Sequence, residues 1–97
     1  MQITVRKPNY PPAFKAAIDH SYRKSVTHQL DNLNDRIYIT VYSQKRPVGR
    51  FTYVVQEDKC VLEKRFVIER DYCPFEYSIA TLVKYFKRKK IKYLLWN

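Results

Sequence analysis

The densest chemistry in this 97-residue chain is a run of cations, Lys84-Tyr85-Phe86-Lys87-Arg88-Lys89-Lys90, continued by Lys92 and Tyr93. Like charges on one short segment repel, so a bound anion would lower their energy. A phosphate backbone is such an anion, because each phosphate neutralised releases counterions. Tyr85 and Tyr93 would add stacking contacts to unpaired bases. Residues 77–97 contain no acid at all, and residues 1–30 set Arg6, Lys7, Lys15, Arg23 and Lys24 against Asp19 alone. The stretch between them is neutral, so the formal charge of +10 belongs to the two ends. Arg6, Lys7, Arg23 and Lys24 extend the cationic run if the helices that carry it lie side by side. Nucleic acid, a nucleoprotein complex or an acidic protein surface is the class of partner such a field attracts. The structural alternative is a solvated helix end whose cations suit the negative pole of the helix dipole.

Other reactive side chains are sparse and poorly placed. His20 and His28, with Asp19, Asp31 or Asp35 nearby, have no spacing that defines an acid–base set. Cys60 and Cys73 are too few to hold a metal without other ligands, and they read as free thiols. Cys73 precedes Pro74 at a helix start, where the dipole would acidify a thiol, yet no histidine partner is evident. Gly49 is the only glycine, which excludes loops that cradle phosphates with bare backbone. No catalytic set, metal site or cofactor emerges. One sheet face carries Tyr38, Tyr42 and either Tyr53 or Val54, with Arg50 and Arg65 close by. Such a face can bind unstacked bases, but cross-strand aromatic pairs also stabilise sheets on their own account.

The elements that position these residues follow from periodicity. Gln2–Arg6 alternates as a first strand. Pro12 opens a helix to about residue 26, with Phe14, Ala17, Ile18, Tyr22 and Val26 as its apolar stripe. Residues 27–36 read as a polar connection. Ile37–Tyr42 and Arg50–Val55 pair as a hairpin across a turn at 44–49 that contains Gly49. Cys60–Glu69 forms a further strand, with Leu62, Phe66 and Ile68 turned inward. Pro74 and Glu76 start a second helix, buried through Ile79, Leu82, Val83 and Phe86. Residues 92–96 make a last strand. The expected fold is one α+β domain over residues 1–97, in the order β-α-β-β-β-α-β. An antiparallel meander carries two helices, and a sheet edge near Trp96 is open to a second copy. No segment approaches the roughly 20 apolar residues of a membrane span, and no signal peptide leads the chain, so it reads as cytoplasmic.

This pattern resembles the first two-thirds of the GNAT-type N-acetyltransferase fold. MQITVRK and the helix after it look like that family's first strand and helix. RIYITVYSQKRPVGRFTYVV is similar to its second and third strands, CVLEKRFVIERDY to its fourth, and SIATLVKYFKRKKIKYLLWN to the following helix and fifth strand. The resemblance implies a site for the pyrophosphate of acetyl-CoA between the fourth strand and its helix, on a Gly-rich loop. Here that stretch is Arg70–Ala80, with Ser78 and Ala80 where glycines are expected, and with Asp71, Pro74 and Glu76 present. Helix, three-strand meander and helix are also similar to double-stranded RNA-binding domains, which keeps duplex RNA among the partners. The leading expectation is a non-enzymatic nucleic-acid-binding module, of the kind found among viral-type accessory or inhibitory proteins. Phosphate contacts would come from Lys84, Lys87, Arg88, Lys89, Lys90 and Lys92. The alternative is a GNAT-like acyl-CoA-dependent N-acyltransferase or an inactive relative of one.

Overall fold

Both helices begin at a proline, whose missing N–H is no loss in a first helical turn. The computed structural model describes residues 1–97 throughout. Its elements are β1 (Gln2–Thr4), α1 (Pro12–Arg23), β2 (Val26–Leu33), β3 (Arg36–Ser43), β4 (Arg46–Gln56), β5 (Lys59–Val67), a 3-10 turn (Arg70–Tyr72), α2 (Pro74–Phe86) and β6 (Tyr93–Leu95). The expected α+β domain forms with its elements in the expected order, and one strand is added. That strand is β2, in the stretch read as a polar connection. It pairs antiparallel with β3 from Val26↔Ser43 to Leu33↔Arg36. As an edge strand it faces water along most of its length, so its composition is that of a loop.

The six strands lie in the order β1-β6-β5-β4-β3-β2. The sheet is mixed, which corrects the antiparallel expectation: β5 and β6 run parallel, joined across α2. A parallel pair needs such a crossover, and 74–86 supplies it. β6 is not an edge, because β1 closes over it through Gln2↔Leu95 to Thr4↔Tyr93. The sheet edges are β1 and β2.

α2 is the central element. Phe75, Ile79, Leu82, Val83 and Phe86 are buried against Ile37, Ile39 and Val41 of β3 and Phe51 and Tyr53 of β4. α1 packs beside it on the same face of the sheet and ends at Arg23, so Val26 belongs to β2 instead. Tyr38, Thr40, Tyr42 and Arg50 occupy the other face, which no helix covers, and Arg50 lies 5.8 Å above the Tyr38 ring. Tyr53 is on the buried face, where its hydroxyl is 3.0 Å from Ser78 Oγ; Val54 takes the outer position.

The β3–β4 turn is tighter than its sequence implied. It is only Gln44-Lys45, both at positive φ, and Gly49 lies inside β4. Gly49 serves close approach: a Cβ there would stand 2.9 Å from Pro74 Cβ. The bare strand is what seats the first turn of α2.

Candidate functional site at the fork of β5 and β6

Ligands of open sheets bind beyond the carboxyl ends of parallel strands, near the start of the connecting helix. This chain has one parallel pair, so it has one such place. β5 and β6 are in register only from Lys59↔Tyr93 to Val61↔Leu95, after which β5 continues alone to Val67. A bulge sharpens the divergence. Thr52 pairs with Lys64 and Tyr53 with Leu62, which leaves Glu63 as the extra residue. A bulge bends its strand and inverts the alternation beyond it. Leu62 therefore faces the core as expected, but Phe66 and Ile68 turn to solvent at 65% and 52% exposure. Arg65 takes the inward side instead.

Inside the fork the side chains are stacked. The Arg65 guanidinium lies 3.9 Å above the Phe75 ring, and its Nη2 donates to the Asn97 carbonyl at 2.9 Å. Phe75 meets Trp96 edge-on at 5.9 Å and Phe51 at 5.4 Å, while Trp96 stacks on Phe14 at 5.6 Å. Both Phe75 and Trp96 are buried. Outside this plug lies an open pocket of about 480 Å³, lined by Arg65, Val67, Arg70, Cys73, Phe75 and Glu76.

The helix start that borders the pocket is capped without a side chain. Cys73 sits there in the left-handed region at φ 48°, with Glu76 in the first turn. The Cys73 thiol is pushed up in pKa, first by burial and then by Glu76 and Asp71, so its place at the helix start does not acidify it. Cys60 is buried and pushed up to about 12 by desolvation alone. His20 is absorbed in packing: its Nε2 donates to the Asp71 carbonyl at 2.8 Å and ties α1 to the 3-10 turn.

The cationic residues separate into groups. Arg6 joins Lys87, Arg88, Lys89, Lys90 and Lys92 around a concavity of about 880 Å³, with Asp58 the one acid on its wall. Lys84 turns elsewhere, donating to Tyr22 Oη at 2.9 Å. Lys7 does not line that concavity. Arg23 and Lys24 end α1 beside the 3-10 turn, where Ser21 Oγ donates to the Tyr72 carbonyl. Neither lines the concavity that Lys87 and Arg88 border. The two tyrosines expected to stack differ in their surroundings. Tyr85 is held edge-on by Phe86 at 5.1 Å, with its hydroxyl bonded to Asn32 and Lys89, and Tyr93 is half-buried in β6 between Thr4 and Lys59. No group of three His, Cys, Asp or Glu side chains is placed to hold a metal.

No protein-family model and no curated protein matches the chain. Among solved structures it is similar to the C-terminal domain (DUF2156) of a putative lysylphosphatidylglycerol synthetase from Agrobacterium fabrum. The TM-score is 0.67 at 5% identity, over 96% of this chain and 44% of that one. The chain thus spans under half the length of the structure whose fold it shares. That likeness overturns the expectation of a nucleic-acid-binding module or viral-type accessory protein, since the shared fold is that of a synthetase domain. No helix is long and apolar enough to cross a membrane.

Proposed function

We propose that the chain is a degenerate relative of the GNAT-type acyl-CoA-dependent N-acyltransferases, a cytoplasmic domain that keeps their scaffold but has closed their donor site. The observation that carries this reading is the plugged fork. Phe75 and Trp96 fill the inner part of the space beyond the parallel pair in which a ligand would lie, and Arg65 lies across it, so that only the open pocket outside them is left. The helix start beside it adds three further obstacles. Its loop offers no glycine for close backbone approach, Pro74 withholds one N–H, and Asp71 and Glu76 oppose a pyrophosphate. The likeness to a synthetase domain supports an acyltransferase-type scaffold.

Thermal melts with acetyl-CoA test this. A donor at a hundred times its Kd would stabilise the fold by about 2.7 kcal/mol. The expected result is no rise in Tm at millimolar acetyl-CoA beyond the rise given by inorganic pyrophosphate at matched ionic strength. A larger rise, lost in Arg70→Ala, would establish a working donor site and overturn the proposal.

A further inference from the structure

A second cleft lies on the opposite flank of α2, against edge strand β2, with β3 and β4 separating it from the fork. Tyr77, Thr81, Lys84 and Tyr85 of α2 form one wall and His28, Leu30 and Asn32 of β2 the other, and Tyr22 of α1 closes one end. Its volume is about 720 Å³. The residues are a mixture of aromatic faces and hydrogen-bond donors. The Tyr22 and Tyr77 rings meet edge-on at 5.3 Å, and His28 lies 6.1 Å from Tyr77. No carboxylate lines the cleft.

Proton accounting shows a surplus of donors. Lys84 Nζ gives one hydrogen to Tyr22 Oη at 2.9 Å and keeps two. Tyr22 Oη accepts that bond and still has its own proton to give. Tyr85 Oη accepts from Asn32 Nδ2 at 2.7 Å and from Lys89 Nζ at 3.0 Å, so its own proton is also unspent. Both lysines therefore spend their contacts on neutral phenols, and neither joins any of the ion pairs in the structure. Burial and then the charge of Lys84 lower the pKa of His28, so its protonated form is disfavoured there. A cation with spare donors, two phenolic protons and the exposed Tyr22 ring together fit a flat anion.

We infer that the cleft between α2 and β2 binds a small aromatic carboxylate, with its ring against Tyr22 and its carboxylate on Lys84 and the Tyr22 hydroxyl. The inference stands independently of the proposed function, since no fork residue takes part. NMR titration of the whole chain with 4-hydroxyphenylacetate tests it, with 4-hydroxyphenylacetamide and acetate as controls. Saturable shifts are expected at His28, Tyr77 and Thr81. The acid should bind at least about tenfold more tightly than the amide or acetate, the size of one charge-assisted hydrogen bond. Lys84→Gln should lose that advantage, Tyr22→Phe should lose part of it, and Lys90→Gln in the other concavity should leave it intact. Lys84 and Tyr22 are exposed, so these variants keep the fold, which their unchanged amide spectra would verify. Absence of binding, equal binding of acid and amide, full affinity in Lys84→Gln, or shifts centred on Lys87–Lys92 would each overturn the assignment.

Discussion

At the scale of single residues, the one glycine shows how much a missing side chain can decide. Gly49 was expected to serve a turn and instead gives Pro74 room to rest on β4. Gly49→Ala would push a methyl to 2.9 Å from Pro74 Cβ and 3.2 Å from Phe51 Cε2. Neither neighbour is the free end of a flexible chain, so α2 or β4 must shift. Overpacking of this kind costs about 1–3 kcal/mol. In a domain this size each kcal/mol lowers Tm by roughly 4–8 °C. A thermal melt of Gly49→Ala should show that loss, and an unchanged Tm would mean the first turn of α2 is not seated there. Arg65 carries the complementary lesson. Glu63, Lys64 and Arg65 are all polar, so a one-residue bulge among them leaves no mark on the apolar pattern, and the period of two reads straight through. Arg65 is then read as facing outward, and its stacking on Phe75 is invisible. The lysine-rich run was plain in the sequence. The Tyr22–Lys84 and Tyr85–Lys89 pairings were not, because Tyr22 and Lys84 are 62 residues apart and the second pair depends on rotamers.

At the scale of elements, strands with one buried face were legible. β3 alternates buried and half-buried residues along its whole length, as its sequence requires. β2 was missed because an edge strand open to water needs few apolar residues, and Val26 is its only buried one. The parallel pairing of β6 was missed too, since three residues carry no sign of direction. Turns pay for the shortage of glycine. Ser25, Asn34, Gln44, Lys45, Glu57 and Cys73 all adopt positive φ, a conformation that costs a residue with a Cβ about 1–2 kcal/mol. Two consecutive positive φ values at Gln44 and Lys45 make the hairpin turn that favours Asn-Gly. The double substitution Gln44→Asn, Lys45→Gly should therefore stabilise the domain by about 1 kcal/mol. In urea the midpoint should rise with no change in slope, the sign of altered stability without altered compactness. A lower midpoint would mean that the native side chains contribute contacts worth more than the strain they bear.

At the scale of the whole molecule, the uneven charge becomes a stability argument. All three ion pairs, Arg36–Asp35, Arg36–Glu63 and Arg46–Glu69, lie in the neutral middle of the chain. The cations of residues 1–30 and 77–97 have no ion-paired carboxylate, and the fold draws Arg6 into the concavity with Lys87–Lys92. The molecule measures 34 × 29 × 24 Å. At 0.01 M ionic strength the Debye length is about 30 Å, so each of these charges acts across the entire domain; at 0.15 M it is about 8 Å, and repulsion persists only within the cluster. Tm should accordingly rise between those two salt concentrations, since self-repulsion opposes the compact state and screening relieves it. Lys87→Glu with Arg88→Glu lowers the formal charge from +10 to +6, two charges for each reversal. Both side chains are exposed and neither supports the core. The double variant should melt higher than the parent at low salt and respond less to added salt. If the parent instead loses stability as salt is added, the three ion pairs outweigh the repulsion, and the clustered cations are no burden on the fold.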